Sequence, residues 1–279
     1  MHRYTRSLLL LIATANAAAF CQTQEPAARP GFDVASIRLD ASNGNKAYVQ
    51  AVPGRLVMRN FSLKQIILFA YDVPRNQVLG VQDWMDSTHL DIQATTQSNA
   101  TVKQVEGPML QALLEERFHL RVHRESMERP VYQLTVDKGG PKMQRSKEGS
   151  CAPYSMDSPP PPATTASQTV YCDFPHFSGD GRNWALEGTG VTVGKLAASL
   201  SRSGLDRPVI DRTGLSGGFD LRLKWVGDPA SGPGPVTPED AAGPSIFTAV
   251  KEQLGLKLEA TKGAVEILVI DHVEKPSEN

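Results

Sequence analysis

Apolar and polar positions along this chain follow two periods, and the two periods take turns. Over residues 32–39, Phe32, Val34, Ile37 and Leu39 alternate with polar neighbours, with a phase slip at Ala35-Ser36, which predicts a strand. Residues 47–52 and 55–59 flank Pro53-Gly54 and read as a hairpin. The spacing then lengthens. Leu63, Ile66, Ile67 and Ala70 recur at helical intervals behind Ser62, an N-cap residue, and this helix should stop near Pro74. Strands are predicted at 77–81 and 89–95. Residues 96–106 are polar and read as a loop, after which Gly107-Pro108 opens a second helix whose buried face is Met109, Leu110, Leu113, Leu114 and Phe118. Two strands, 120–124 and 131–137, joined through Glu128-Arg129-Pro130, close this half.

The second half runs through the same order: helix 192–202, strands 208–211 and 218–225, helix 245–254, strands 257–260 and 265–272. At an offset of 130 the apolar positions of residues 56–66 lie over those of 186–196, and at 136 Gly107-Pro108 meets Gly243-Pro244. The expected fold is α+β, two tandem pseudo-repeats of β-α-β-β-α-β-β type with helices on antiparallel or mixed sheets. The expected modules span 30–138 and 183–276, with a proline-rich, disulfide-stapled linker at 139–182 between them. The stretch 227–243, rich in Gly, Pro and Ala, is expected to be mobile. Whether the two sheets merge is left open by the pattern.

Composition adds a compartment. Arg3 and Arg6, an apolar run over 8–12 and the small residues of 13–19 have the layout of a secretory signal peptide, with cleavage expected after Ala19. Phe20 is too bulky to precede a lipidated Cys21. No later segment is long and apolar enough to span a bilayer. Loss of Arg3 and Arg6 moves the net charge from −1 to −3, so nucleic acid is not an expected partner. A secreted or periplasmic location makes Cys151 and Cys172, either side of the proline run 159–162, the natural disulfide.

Candidate chemistry is sparse. Gly214-Leu215-Ser216-Gly217-Gly218 fits the G-x-S-x-G pattern, but a strand follows it where a nucleophile elbow needs a helix. His119 and His123 could share a strand face, yet a zinc site needs a third ligand that neither spacing nor repeat supplies. Solvated strand histidines are the expectation, with no metal, no cofactor and no catalytic set. Asp206, Arg207, Asp211 and Arg212 bracket a short strand with charge; such pairs either fix an anionic ligand or cap turns. Trp84, Trp184 and Trp225 could line a carbohydrate or peptide groove, or pack in the core. Asp206, Arg207, Asp211, Arg212 and Trp225 are the candidate ligand contacts.

Several runs carry a family resemblance: Phe32-Asp33-Val34-Ala35-Ser36-Ile37-Arg38, Leu114-Glu115-Glu116-Arg117-Phe118, Arg207-Pro208-Val209-Ile210-Asp211-Arg212-Thr213-Gly214-Leu215 and Val269-Ile270-Asp271-His272-Val273-Glu274-Lys275-Pro276. In these the chain resembles a large family of secreted, soil-associated bacterial proteins of unknown function. Similar domains occur as extracellular tails on membrane metallopeptidases of the antibiotic-sensor type, which implies binding rather than catalysis. The expected function is a non-catalytic module that binds a ligand or an envelope protein, in a groove between the halves. A secreted hydrolase and a structural part of an envelope assembly are the alternatives.

Overall fold

A computed structural model describes residues 30–40, 47–155, 170–227 and 243–275. The expected signal segment, Cys21, the proline run and most of the 227–243 stretch lie outside the described residues.

The chain begins with β1 (Val34–Leu39), β2 (Tyr48–Val52) and β3 (Arg55–Ser62), and Gly54 makes the hairpin turn between the last two at φ +73°. Ser62 then starts α1 (Leu63–Ala70) through a capping box. Its hydroxyl accepts from the Gln65 N–H at 3.2 Å while Gln65 Oε1 accepts from the Ser62 N–H at 2.8 Å. Leu63, Ile66, Ile67 and Ala70 are buried, as their spacing predicts. Each such leucine or isoleucine contributes about 1.5–3 kcal/mol by leaving water.

There follow β4 (Val78–Leu79), α2 (Asp83–Ser87), β5 (His89–Thr95), α3 (Val102–Gln104), α4 (Leu110–Phe118) and β6 (Arg121–Val136). Beyond these lie β7 (Gln144–Arg145), β8 (His176–Gly179), β9 (Asn183–Val191), α5 (Val193–Ser201), β10 (Val209–Asp211), β11 (Phe219–Val226), α6 (Ile246–Leu254) and β12 (Leu256–His272).

The fold is α+β. Its strands form three sheets, ordered β1-β5-β3-β2, β10-β6-β12-β4 and β7-β11-β9-β8. The outer two are antiparallel, and the central one is mixed. The central sheet settles the question of merging. β6 and β12 pair antiparallel along nearly their whole lengths, with Glu128 opposite Ala264 at the middle. Outside them the short strands are exchanged. β4, from the first half, lies parallel to β12, while β10, from the second, lies parallel to β6.

Two large cores result. One packs α1 and α4 on the β1-β5-β3-β2 sheet, around Leu56, Ile66, Leu90, Leu114 and Phe118. The other packs α5 and α6 on the β7-β11-β9-β8 sheet, around Leu186, Leu196, Leu223 and Val250. A small cluster of Val131, Val265 and Ile267 sits on the central ribbon.

Three expectations are corrected. The second helix begins at Thr101, whose hydroxyl and Gln104 form another capping box inside the polar run, and Pro108 lies within a π turn (Val105–Met109) rather than at the first turn. A proline has no N–H to give an i−4 carbonyl, so the widened turn suits it. The strand expected over 77–81 shortens to Val78–Leu79, directly after a 3-10 turn (Arg75–Gln77). The strand pairs expected on either side of Pro130 and of Lys262-Gly263 are single long strands. Pro130 is tolerated because backbone groups two residues apart point the same way. Tyr132 donates its N–H to Pro208 O at 2.8 Å, so the N–H that Pro130 lacks would face the same side, where β10 pairing starts only at Tyr132.

Candidate functional site

The sheet under the second core extends beyond its helices. Along β11 the inward positions are Phe219, Leu221, Leu223 and Trp225, all buried, and Trp184 of β9 stands opposite Trp225. Phe177 of β8 stands opposite Leu186 on the same face, 38% exposed, its ring edge-on to Trp225 at 6.1 Å between centroids. Where α5 ends, the turn over Arg202, Ser203, Gly204 and Leu205 rises beside these rings, and Arg75 and Asn76 arrive from the first half. Together they line a groove of roughly 790 Å³.

Each polar wall residue has a definable state. Arg202 Nη2 donates to the carbonyl and carboxylate of Asp72, at 2.9 and 2.6 Å. Ser201 is buried and receives the Val209 N–H at 2.8 Å while donating to Ala197 O at 3.0 Å, tying α5 to β10. Asp206 accepts from the Tyr132 hydroxyl at 3.0 Å and from Arg207 Nε at 3.2 Å, and the Arg207 guanidinium lies over the Tyr132 ring. Partial burial, and after it the hydrogen bond to Asp206, raise the Tyr132 phenol above its ordinary pKa against the opposing charge of Arg207. Asn76 donates to Leu205 O at 3.2 Å, which fixes its amide, and its buried Oδ1 has no hydrogen-bond partner among the described residues. Arg75 is exposed and enters no ion pair among the described residues.

Of the five residues singled out from sequence, Trp225 and Asp206 line this groove. Arg207 joins Asp206, Asn76 and Arg129 around an adjoining cavity of roughly 230 Å³. Asp211 and Arg212 are used elsewhere. Asp211 Oδ1 closes a turn by accepting from Thr213 N and Oγ1 at 2.8 and 2.7 Å, and the Arg212 N–H donates to Leu134 O. Trp84 packs against the first core, away from Trp184 and Trp225, with its indole N–H on Gln82. Arg75, Asn76 and Phe177 carried no signal in the sequence, because the groove arises from pairing between distant segments.

The remaining candidates lie outside this groove. Ser216 is exposed in the loop that leads into β11, and no helix follows it. His119 is the left-handed C-cap of α4, with Glu274 at 3.8 Å. His123 lies on β6 with Nδ1 2.9 Å from Asp271, which raises its pKa. Among the described residues no group of three His, Cys, Asp or Glu side chains has metal-holding geometry. Cys151 and Cys172 are joined by a disulfide, and bridges from Ala152 to Tyr171 and Cys172 to Thr189 lay this strap along β9. No helix among the described residues is long and apolar enough to cross a membrane.

The family model described as "Protein of unknown function (DUF3738)" matches residues 64–273, and the chain belongs to that family. No curated protein and no solved structure matches it.

Proposed function

We propose that this chain is a secreted or periplasmic, non-catalytic binding protein whose site is the groove between the halves. The observation that carries this reading is the joining of Trp184, Trp225 and Phe177 from one half with Arg75 and Asn76 from the other around a single open space. A volume of several hundred Å³, apolar rings and a few convergent polar groups at an interface are what small-molecule and oligomer sites share. The disulfide and the signal-like first 19 residues support an extracytoplasmic setting. The resemblance to soil-associated secreted proteins and to sensor-protein tails favours binding over turnover.

The matching orders β1-β5-β3-β2 and β7-β11-β9-β8 support reading the chain as two pseudo-repeats, with 30–138 and 183–276 as the modules. A ligand in the groove would touch both. The test is a thermal-shift screen of residues 22–279 against cell-wall fragments, oligosaccharides and peptides, repeated with Trp184→Ala. A rise in melting temperature that the variant loses supports the site. A flat screen, or a rise the variant keeps, rejects it.

A further inference from the structure

We infer that the groove takes an acidic glycan, with a sugar ring on the Trp184 face and a carboxylate at Arg75. This rests on the groove being the binding site proposed above and adds the chemistry of its ligand.

The aromatic wall is not something the sheet requires. In the first half Leu56 stands between Ala51 and Ala94, as Leu186 stands between Phe177 and Leu223 in the second. Two residues further toward the strand ends, Trp184 and Trp225 face each other where the first half has Gly54 and Thr96, themselves joined by a backbone hydrogen bond of 2.8 Å. Ala51, Gly54 and Thr96 complete the same register without a ring. Trp225 belongs to the second core and Trp184 packs against it, while Phe177, 38% exposed, carries the aromatic surface out to the rim, so the ring wall exceeds what the same register needs in the first half.

Three features of the groove specify three features of the ligand. A flat aromatic face accepts the C–H face of a pyranose or another flat apolar surface. The Asn76 Oδ1 is a buried acceptor without a partner among the described residues, a loss that a ligand donor reaching it would make good. A carboxylate alone or a hydrocarbon brings no donor; a hydroxyl does. The charges of Arg202 and Asp206 are matched by Asp72 and Arg207, which leaves the Arg75 guanidinium as the wall's unmatched charge among the described residues. A guanidinium fork receives a carboxylate through two hydrogen bonds. Ring face, hydroxyl donors and carboxylate occur together in a uronic acid.

The test uses the full mature chain and four probes. These are a set of uronate trisaccharides (galacturonate, glucuronate, mannuronate), their neutral methyl esters, neutral glucose trisaccharides, and benzoate. Binding is read by calorimetry and by tryptophan emission, which Trp184 and Trp225 report from the wall. At least one uronate should bind at least tenfold tighter than its ester. Arg75→Gln should erase that preference with an unchanged melting temperature, and Trp184→Ala should remove binding of both. Equal binding of acid and ester, or a preference that survives Arg75→Gln, overturns the carboxylate assignment and leaves the groove standing. Benzoate bound as tightly as any uronate overturns the sugar assignment. Silence from all four probes in both readouts overturns the acidic-glycan assignment, while the groove itself stands or falls on the wider thermal-shift screen with Trp184→Ala.

Discussion

Arg202, just past α5, clasps Asp72, just past α1, through both the backbone carbonyl and the carboxylate. Each residue follows a helix that covers its own core, so the pair ties the end of α1 to the end of α5. Asp72 is nearly fully exposed, which limits the ionic part to that of a surface pair, about 0.2–1 kcal/mol, while the carbonyl bond adds a similar amount. Arg202→Ala should lower the denaturant midpoint by roughly 1 kcal/mol in stability, and Asp72→Asn by less, since it keeps the carbonyl. Equal losses would show the carboxylate carries the contact.

Gly255 and His119 both end a helix in the left-handed region, at φ +66° and +48°. A side chain at 255 would also strike the Gly140 carbonyl and approach the Lys142 N at 2.8 Å. Gly255→Ala should therefore cost more than 1–2 kcal/mol, the strain of the left-handed region alone. His119→Gly should be neutral or stabilising, because it relieves that strain at an exposed cap whose side chain has only a 3.8 Å contact. Chemical denaturation of the two variants checks the opposite signs.

Gly190 lies under the disulfide, where an added Cβ would stand 3.0 Å from Cys151 Sγ and φ is +65°. Replacing both cysteines by serine should cost about 3 kcal/mol, the chain-entropy figure for a loop of this length. Gly190→Ala should destabilise the oxidised protein more than the reduced one. A loss independent of reductant would mean that backbone strain, not the bridge, is what the substitution meets.

Two groups set opposite pH limits. His123 is raised above 6.5, chiefly by its hydrogen bond to Asp271, so its contribution is complete below pH 6.5 and fades as pH climbs through the higher folded value. Asp180 is lowered to about 2 by the backbone N–H of Asn183, then by the Asn183 amide and the Arg182 N–H. Its contribution is complete above pH 3.8 and disappears as pH falls toward 2. Melting temperature against pH should lose its upper slope in Asp271→Asn and its acid slope in Asp180→Asn. Unchanged slopes would assign the pH dependence to other groups.

The helices of α1, α5 and α6 were legible because Ser62, Thr192 and Ser245 announce them and each apolar stripe keeps its spacing. α3 was hidden because Thr101 and Gln104 cap a turn that has little apolar surface to bury. The long ribbon was hidden for a related reason. From His123 to Arg129 β6 is mostly exposed, and what holds it straight is β12, far along the chain. The groove followed the same rule. Trp225 and Asp206 could be nominated by residue type, whereas Arg75 and Asn76 acquire a role only once β4 has crossed to the other half's strand.

That crossing also sets a timetable. Val78 and Leu79 find their partners only at Leu268 and Val269, almost the last described strand residues to leave the ribosome. Until then β4 lacks a sheet neighbour, and β6 has no antiparallel mate. Native closure must wait for β12, and pairing over such separations is slow. The same late strand that delays closure also fixes β4 in place, and with it brings Arg75 and Asn76 to the groove.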